Sequence, residues 1–193
     1  MAWTYLKPSE GGDGYSKVLV VDDTCIVNPS APSIFAEHSE ASLAMTSTSR
    51  YHARRSHKHI KSLAALGYLS TVPYNAAAYG NTDVVLYDWT VRDVFSPENL
   101  MRYQRLLEAS FPHQTTLYWL QQTFDVPLTV LDKSWNRTPA AKLARDEKRA
   151  LQDIRHSDVD LCGNWIMHVT GAFSNRQQLV ESIATEYKGL PYT

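Results

Sequence analysis

Residues 15–35 read YSKVLVVDDTCIVNPSAPSIF, and this segment contains the clearest strand signal in the chain. The continuous apolar, β-branched run at 17–21 is typical of a strand that is buried on both faces. It ends on two adjacent carboxylates, Asp22 and Asp23, and two prolines follow, so that at most a short turn of helix begins there. A buried strand that ends on paired acids usually presents them at a site. We therefore expect this pair to be functional.

The composition excludes several classes of protein. The 193 residues are 44% apolar and 20% charged, with a net charge of −1, which is typical of a globular domain and argues against disorder or a nucleic-acid-binding field. No apolar run is long enough to span a bilayer, and the first residues lack the layout of a signal peptide. Cys25 and Cys162 make no metal-binding spacing, which fits reduced thiols. We expect a cytoplasmic protein without a nucleic-acid partner or a membrane span.

Strand and helix patterns alternate along the chain. After the first strand, we expect strands at 41–50, 82–89, 127–132 and 164–171, and helices in the second half of 51–69 and over 96–111, 113–124 and 175–187. Residues 137–155 read as either a polar helix or a mobile excursion. Ser96 followed by Pro97 is the clearest helix start. This alternation predicts an α/β fold with a mostly parallel sheet. We expect one domain over 1–193, with loose termini at 1–14 and 188–193.

Two other families place acids after a first strand. KVLVVDD resembles the opening of a response-regulator receiver domain, in which adjacent acids bind Mg²⁺ and a later strand, here ending on Asp88, carries the phospho-acceptor. The two prolines stand where the receiver's first helix should begin, and no Lys-Pro follows a late strand. A haloacid-dehalogenase phosphatase needs Asp-x-Asp-x-Thr, and DDTCI lacks that spacing. The receiver interpretation stays a distant alternative.

A third family accounts for more of the chain. Residues 15–35 resemble the metal-site segment of GT-A glycosyltransferases, particularly the family-8-like group, in which a tyrosine and a basic residue precede an apolar strand, Asp-x-Asp and a Pro-containing segment ending in Phe. Three further segments resemble family motifs in the family's order: YGNTDVVLYD (79–88), HQTTLYWLQQTFDVPLTVLDKSWNRTP (113–139) and WIMHVTGAFSNR (165–176). The resemblance implies a GT-A fold and transfer of a sugar, with retention of configuration, from a nucleotide-diphosphate donor such as a UDP-sugar.

The resemblance also implies a metal site. In such enzymes Mn²⁺ or Mg²⁺ neutralises the departing nucleoside diphosphate and acts as a Lewis acid on it. Asp22 matches the first acid of the motif, and His168 matches the late metal ligand. The third position of Asp-x-Asp is Thr24, a weaker cation ligand than a carboxylate, unless Asp23 is the shifted ligand.

Other residues match positions that contact the donor or the acceptor. Asn81 and Gln114 match family positions on the sugar or acceptor side, and Gly171 would let the backbone approach the phosphates. The Lys-Pro-Trp expected after Gly171 is missing, and Arg176 is the nearest cation. Asp83 stands where the family has glycine, and the family's aspartate before the glutamine is replaced by histidine.

The basic run YHARRSHKHIK at 51–61 has two interpretations. A solvated helix start is the default. The sharper hypothesis is an anion-binding loop in which Arg54 and Arg55 grip the diphosphate, since guanidinium groups match phosphate oxygens.

The family places a base-binding βαβ unit before its metal strand, whereas the resemblance begins here at residue 15. We therefore expect an N-terminally short domain. The enzyme hypothesis then competes with a non-catalytic GT-A-like binding module or half of a split enzyme. A homodimer or a partner chain would complete the donor pocket.

Overall fold

The computed structural model describes residues 15–137 and 164–168, together with the single helical positions 178, 181 and 185. The strands are β1 (Lys17–Val21), β2 (Cys25–Val27), β3 (Leu43–Ser47), β4 (Gly80–Asp88), β5 (Leu128–Leu131) and β6 (Ile166–His168). The helices are α1 (Ile34–Glu37), α2 (Arg50–Ala65), α3 (Pro97–Arg102) and α4 (Pro112–Thr123), with 3₁₀ turns at Trp89–Val91, Gln104–Glu108 and Lys133–Asn136. Apart from those single positions and residue 137, the segment 137–155, the helix expected at 175–187 and the expected loose termini lie outside the described residues.

The chain divides into two compact units. The first comprises Met1–Val20 and His38–Leu131, and the second comprises Val21–Glu37 and Asp132–Thr193. The expectation of a single domain over 1–193 stays a prediction. No helix in the described part of the chain is long and apolar enough to cross a membrane.

The first unit is built on a four-stranded sheet with the order β1-β4-β3-β5. β5 runs parallel to β3, with Leu43 opposite Leu128, whereas β4 runs antiparallel to β3, with Leu43 opposite Tyr87. The mixed α/β class is confirmed, but the expectation of a mostly parallel sheet is wrong. After α2 the chain returns along residues 66–79, and the amide of Thr48 donates to the carbonyl of Tyr79 at 3.2 Å. β4 therefore begins beside the end of β3 and must run back along it.

β1 stands at one end of this strand order within the described residues. All five of its residues are half-buried, so the expectation of burial on both faces is wrong. Val18 and Val20 pack against the core of the unit, as the alternation of side chains along a strand requires.

The helices of the first unit begin at local capping signals. Ser96 caps α3 as expected, and its hydroxyl accepts from the amide of Asn99 at 3.3 Å. α3 ends at Arg102 and a 3₁₀ turn follows, so the helix expected over 96–111 is divided. α2 begins at Arg50, directly after the cap Ser49. The helix was expected only in the second half of 51–69, so it starts earlier than expected. The largest fully buried side chains of the unit's core include Leu43, Met45, Ile60, Tyr79, Tyr87, Leu106, Trp119 and Leu120.

The second unit contains a two-stranded antiparallel sheet. β2 pairs with β6 so that Cys25 lies opposite His168 and Ile26 lies opposite Met167. The 3₁₀ turn at 133–136 is held to β6 by backbone hydrogen bonds, because the amide of Trp165 donates to the carbonyl of Ser134 at 2.8 Å. The amide of Arg137 then donates to the carbonyl of Ile166 at 2.9 Å. These hydrogen bonds fix the turn at 133–136 beside β6, and the pairing of β2 with β6 fixes His168 beside Cys25.

Candidate functional site

Asp22 lies in the second unit, directly after β1. Its Oδ1 accepts the hydroxyl of Thr24 at 2.6 Å and the backbone amide of Thr24 at 3.0 Å. The carbonyl of Asp22 also accepts from the amide of Cys25 at 3.0 Å, which closes the turn that leads into β2. Asp and Thr two residues apart favour this local turn, since the carboxylate caps the backbone that follows it. The turn fixes the direction of the Asp22 carboxylate.

The environment of Asp22 favours its charged form. Partial burial on its own would raise the pKa of the carboxyl, but this effect is outweighed by the hydrogen bonds from Thr24, a side-chain interaction with Asp23 and the nearby His168 ring. The net result is a pKa below the usual value for an aspartate. Asp22 is therefore an anion at neutral pH and can act as a ligand for a cation without first losing a proton.

His168 faces Asp22 within the same unit. It is the last residue of β6, the residue is only 3% exposed, and its backbone amide donates to the carbonyl of Arg137 at 2.8 Å. Its Nε2 lies 4.0 Å from Oδ1 of Asp22. Two residues that are 146 positions apart in the sequence thus converge, as the resemblance implied.

Asp23 lies beside this pair. It is exposed in the turn between β1 and β2 and interacts through its side chain with Asp22. The structure therefore brings Asp22, Asp23 and His168 into one region of the second unit, and it gives Thr24 the role of orienting Asp22. A ligand role for any of these side chains stays a prediction.

Asn81 and Gln114 lie in the first unit. Oδ1 of Asn81, in β4, accepts from the amide of Asp83 at 3.0 Å. Gln114 lies in the first turn of α4, and its buried Oε1 has no hydrogen-bond partner among the described residues. Thr115, the residue after Gln114, and Tyr79, two residues before Asn81, both form hydrogen bonds with the buried Ser56 hydroxyl.

Arg54 and Arg55 are exposed on α2. Nη1 of Arg55 donates to the hydroxyl of Tyr51 at 3.1 Å, one helical turn earlier. The segment is a helix from Arg50 onwards, after the cap Ser49, and not the loop that was expected. A contact of Arg54 and Arg55 with the diphosphate stays a prediction. The predicted donor contacts Gly171 and Arg176 lie outside the described residues.

Two features of the second unit were missed by sequence reasoning. The first is the orienting role of Thr24, which the Asp-x-Thr spacing could have indicated. The second is Asn136, which ends the 3₁₀ turn with a buried side chain. No local pattern marks the second feature, since burial of an amide depends on residues distant in the chain.

Comparison with known proteins places the fold. No protein-family model matches the chain, and no curated protein matches it. Among solved structures it is similar to the apo form of the bifunctional glycosyltransferase WbbM, with a TM-score of 0.50 and 12% identity over 88% of this chain and 33% of that one. It is also similar to the apo form of mouse xyloside xylosyltransferase 1, with a TM-score of 0.46 and 15% identity over 88% of this chain and 61% of that one.

The chain thus spans less than two thirds of either neighbour. The likeness to WbbM is one of fold, since the sequences are only 12% identical. It supports the GT-A-like expectation at the level of a glycosyltransferase-like fold. The family-8-like assignment and the short N-terminus stay predictions. The fold of the chain is similar to that of the glycosyltransferase WbbM.

Proposed function

We propose that the chain is a glycosyltransferase that uses a nucleotide-diphosphate sugar, with a divalent cation held by Asp22 and His168. The observation that carries this proposal is the pair itself: an ionised, oriented carboxylate whose Oδ1 lies 4.0 Å from a buried imidazole nitrogen. The glycosyltransferase-like fold supports the same conclusion.

The distance between Asp22 and His168 fits two ligands of one cation better than a direct hydrogen bond between the two side chains. A separation of 4.0 Å exceeds an N–H···O hydrogen bond, which spans about 2.7–3.2 Å. Two ligands that each lie about 2.0–2.2 Å from one ion can be separated by this distance. Asp23 offers a further carboxylate in the next position. Mn²⁺ and Mg²⁺ are the ions we propose, because carboxylate oxygens with a single imidazole suit hard or borderline cations.

The chain's own residues prepare this site. Thr24 holds the carboxylate of Asp22, so little side-chain entropy is lost when a ligand binds. The backbone of Arg137 holds His168 in β6. When bound, the cation would supply Lewis-acid stabilisation of the departing diphosphate.

Other donor and acceptor contacts follow from the resemblance. We propose that Asn81 and Gln114 contact the transferred sugar or the acceptor. The unpartnered Oε1 of Gln114 supports such a role, since a buried acceptor without a donor in the described residues is available to a sugar hydroxyl. We propose Gly171, Arg176, Arg54 and Arg55 as contacts of the phosphates, and UDP as the nucleotide.

A non-catalytic binding module is the second candidate. This candidate is supported by Thr24, which occupies the third position of the motif and donates its hydroxyl to Asp22. A ligand set reduced in this way could hold a nucleotide without promoting transfer. A partner chain or a second copy that completes the donor pocket belongs to the same proposal.

The test is calorimetric titration of the protein with UDP, with and without Mn²⁺, beside Asp22→Asn and His168→Gln. Asp93→Asn is the matched control, because Asp93 is an exposed carboxylate in the first unit. We expect Mn²⁺-dependent binding that both site variants abolish and the control retains. UDP affinity that is the same with and without Mn²⁺, or that is unchanged in both site variants, would refute the metal site. Binding without hydrolysis of any UDP-sugar would favour the non-catalytic candidate.

A further inference from the structure

Asn136 has an unusual position in the second unit. It is the last residue of the 3₁₀ turn at 133–136, and the residue is only 8% exposed. Within the described part of the chain, neither its Oδ1 nor its Nδ2 has a hydrogen-bond partner. Buried polar side chains are nearly always paired, so a complete side-chain amide without a partner calls for an explanation.

The turn around Asn136 is otherwise well bonded. Asp132 caps it, and its Oδ1 accepts from the amide of Ser134 at 2.8 Å. These hydrogen bonds hold the pKa of the Asp132 carboxyl below its usual value. The buried ring of Trp135 lies 6.4 Å from the ring of Trp165. A loosely built turn would leave several groups unpaired, whereas here the surrounding backbone is hydrogen-bonded and the amide of Asn136 is not.

The same framework connects Asn136 to the proposed metal site. The next residue, Arg137, bridges to Met167 in parallel register. Its amide donates to Ile166 and its carbonyl accepts from His168, at 2.9 and 2.8 Å. Asn136 is therefore fixed beside the strand that carries His168, inside the unit that also contains Asp22.

We propose that the Asn136 side-chain amide is a ligand-binding group that takes a sugar hydroxyl of the nucleotide-sugar, an inference that rests on the proposed function. An amide offers one acceptor and two N–H donors, and a hydroxyl, which both donates and accepts, can engage both ends. A phosphate would leave Oδ1 unpaired, and a cation would leave Nδ2 unpaired. The hydroxyl could belong to the ribose or to the transferred sugar.

The test compares Asn136→Leu with a matched control, Gln121→Leu. Leucine has the branched shape of an asparagine side chain, is somewhat larger, and has no polar atoms. Gln121 is also a buried amide, but it is fully used: its Nε2 donates to the carbonyl of Val126 at 2.6 Å and its Oε1 accepts from Gln122 at 2.7 Å. We expect Asn136→Leu to leave the melting temperature unchanged or to raise it. We expect Gln121→Leu to lower it, because only this change leaves hydrogen-bonded groups, on Val126 and Gln122, without their partner.

Binding is measured by calorimetry in the presence of Mn²⁺ with UDP, UDP-glucose, UDP-galactose and UDP-xylose. We expect Asn136→Leu to weaken at least one of these ligands by about tenfold to a hundredfold, the loss of one or two hydrogen bonds. A loss shared by UDP assigns the ribose, and a loss confined to a UDP-sugar assigns the transferred sugar.

Two results would overturn the inference alone: unchanged affinity for all four ligands, or a melting temperature lowered as far as in the control. If the wild-type protein binds none of them, the proposed function fails and the inference fails with it.

Discussion

Thr24 donates both its hydroxyl and its backbone amide to one oxygen, Oδ1 of Asp22, at 2.6 and 3.0 Å. In the Asp-x-Asp pattern that the sequence resembles, the third position would hold a second carboxylate. Here the same position stabilises the first carboxylate and directs it. The substitution therefore changes the role of the position, from a cation ligand to a group that orients a ligand.

We expect Thr24→Val to weaken Mn²⁺-dependent UDP binding by roughly threefold to tenfold, since it removes one hydrogen bond to a partly exposed carboxylate and keeps the backbone one. Thr24→Ser retains the hydroxyl and should bind like the wild type. Calorimetric titration of the three proteins measures the effect. A Thr24→Val protein with unaltered affinity would mean that the hydroxyl does not orient Asp22.

Stability should depend on pH through His52, in α2. The His52 ring packs against Phe111, tilted by 47° with centroids 4.3 Å apart, and its Nδ1 lies 3.0 Å from the hydroxyl of Thr48. Burial, and to a smaller extent the charge of Arg55, lower the pKa of His52 below its ordinary value of 6.5. As the pH falls through 6.5, the unfolded chain takes up the proton first, and stability is lost until the folded-state pKa is passed.

We expect His52→Gln to flatten the stability profile between pH 6.5 and that lower pKa, as measured by urea unfolding at several pH values. Arg55→Gln is the graded control. Removing the charge of Arg55 should bring the pKa of His52 closer to 6.5 and so narrow the pH range over which stability changes. A wild-type profile that coincides with the His52→Gln profile across this range would contradict the prediction.

Ser56 joins two hydroxyls in the core of the first unit. Its Oγ accepts from Thr115 Oγ1 at 2.7 Å and lies 2.5 Å from the hydroxyl of Tyr79, and all three residues are buried. We expect Ser56→Ala to destabilise the protein by about 1–3 kcal/mol, because it leaves buried hydroxyls without a partner. Ser62→Ala, at an exposed position of the same helix, should change stability by less than about 0.5 kcal/mol. Equal urea midpoints for the two variants would show that the cluster re-forms without Ser56.

Local patterns predicted local structure well. β1 was expected at 17–21 and lies at Lys17–Val21, and the cap at Ser96 was identified from Ser-Pro alone. The direction of β4 was not predictable in this way, because it depends on where the return segment after α2 places Gly80. Nor could the sequence predict that Asp22 and His168 lie 4.0 Å apart, since that distance follows from the pairing of β2 with β6. The resemblance to a family supplied this expectation, and the register of the pair explains it.

Gly80 begins β4 opposite Ser47. A Cβ at this position would lie 2.6 Å from Cε, 2.8 Å from Sδ and 2.9 Å from Cβ of Met45. The first two atoms belong to a flexible side chain, but Cβ is fixed by the backbone of β3, so that rotation of Met45 cannot relieve the whole contact. We expect Gly80→Ala to cost about 1–3 kcal/mol of stability, the usual effect of overpacking.

In the double variant Gly80→Ala/Met45→Ala, the contacts with Sδ and Cε disappear and only the one with Cβ remains. Urea unfolding of both single variants and the double variant gives the coupling between the two sites. We expect the double variant to be more stable than the sum of the two separate losses implies, and purely additive losses would show that the strand already moves to admit the methyl group.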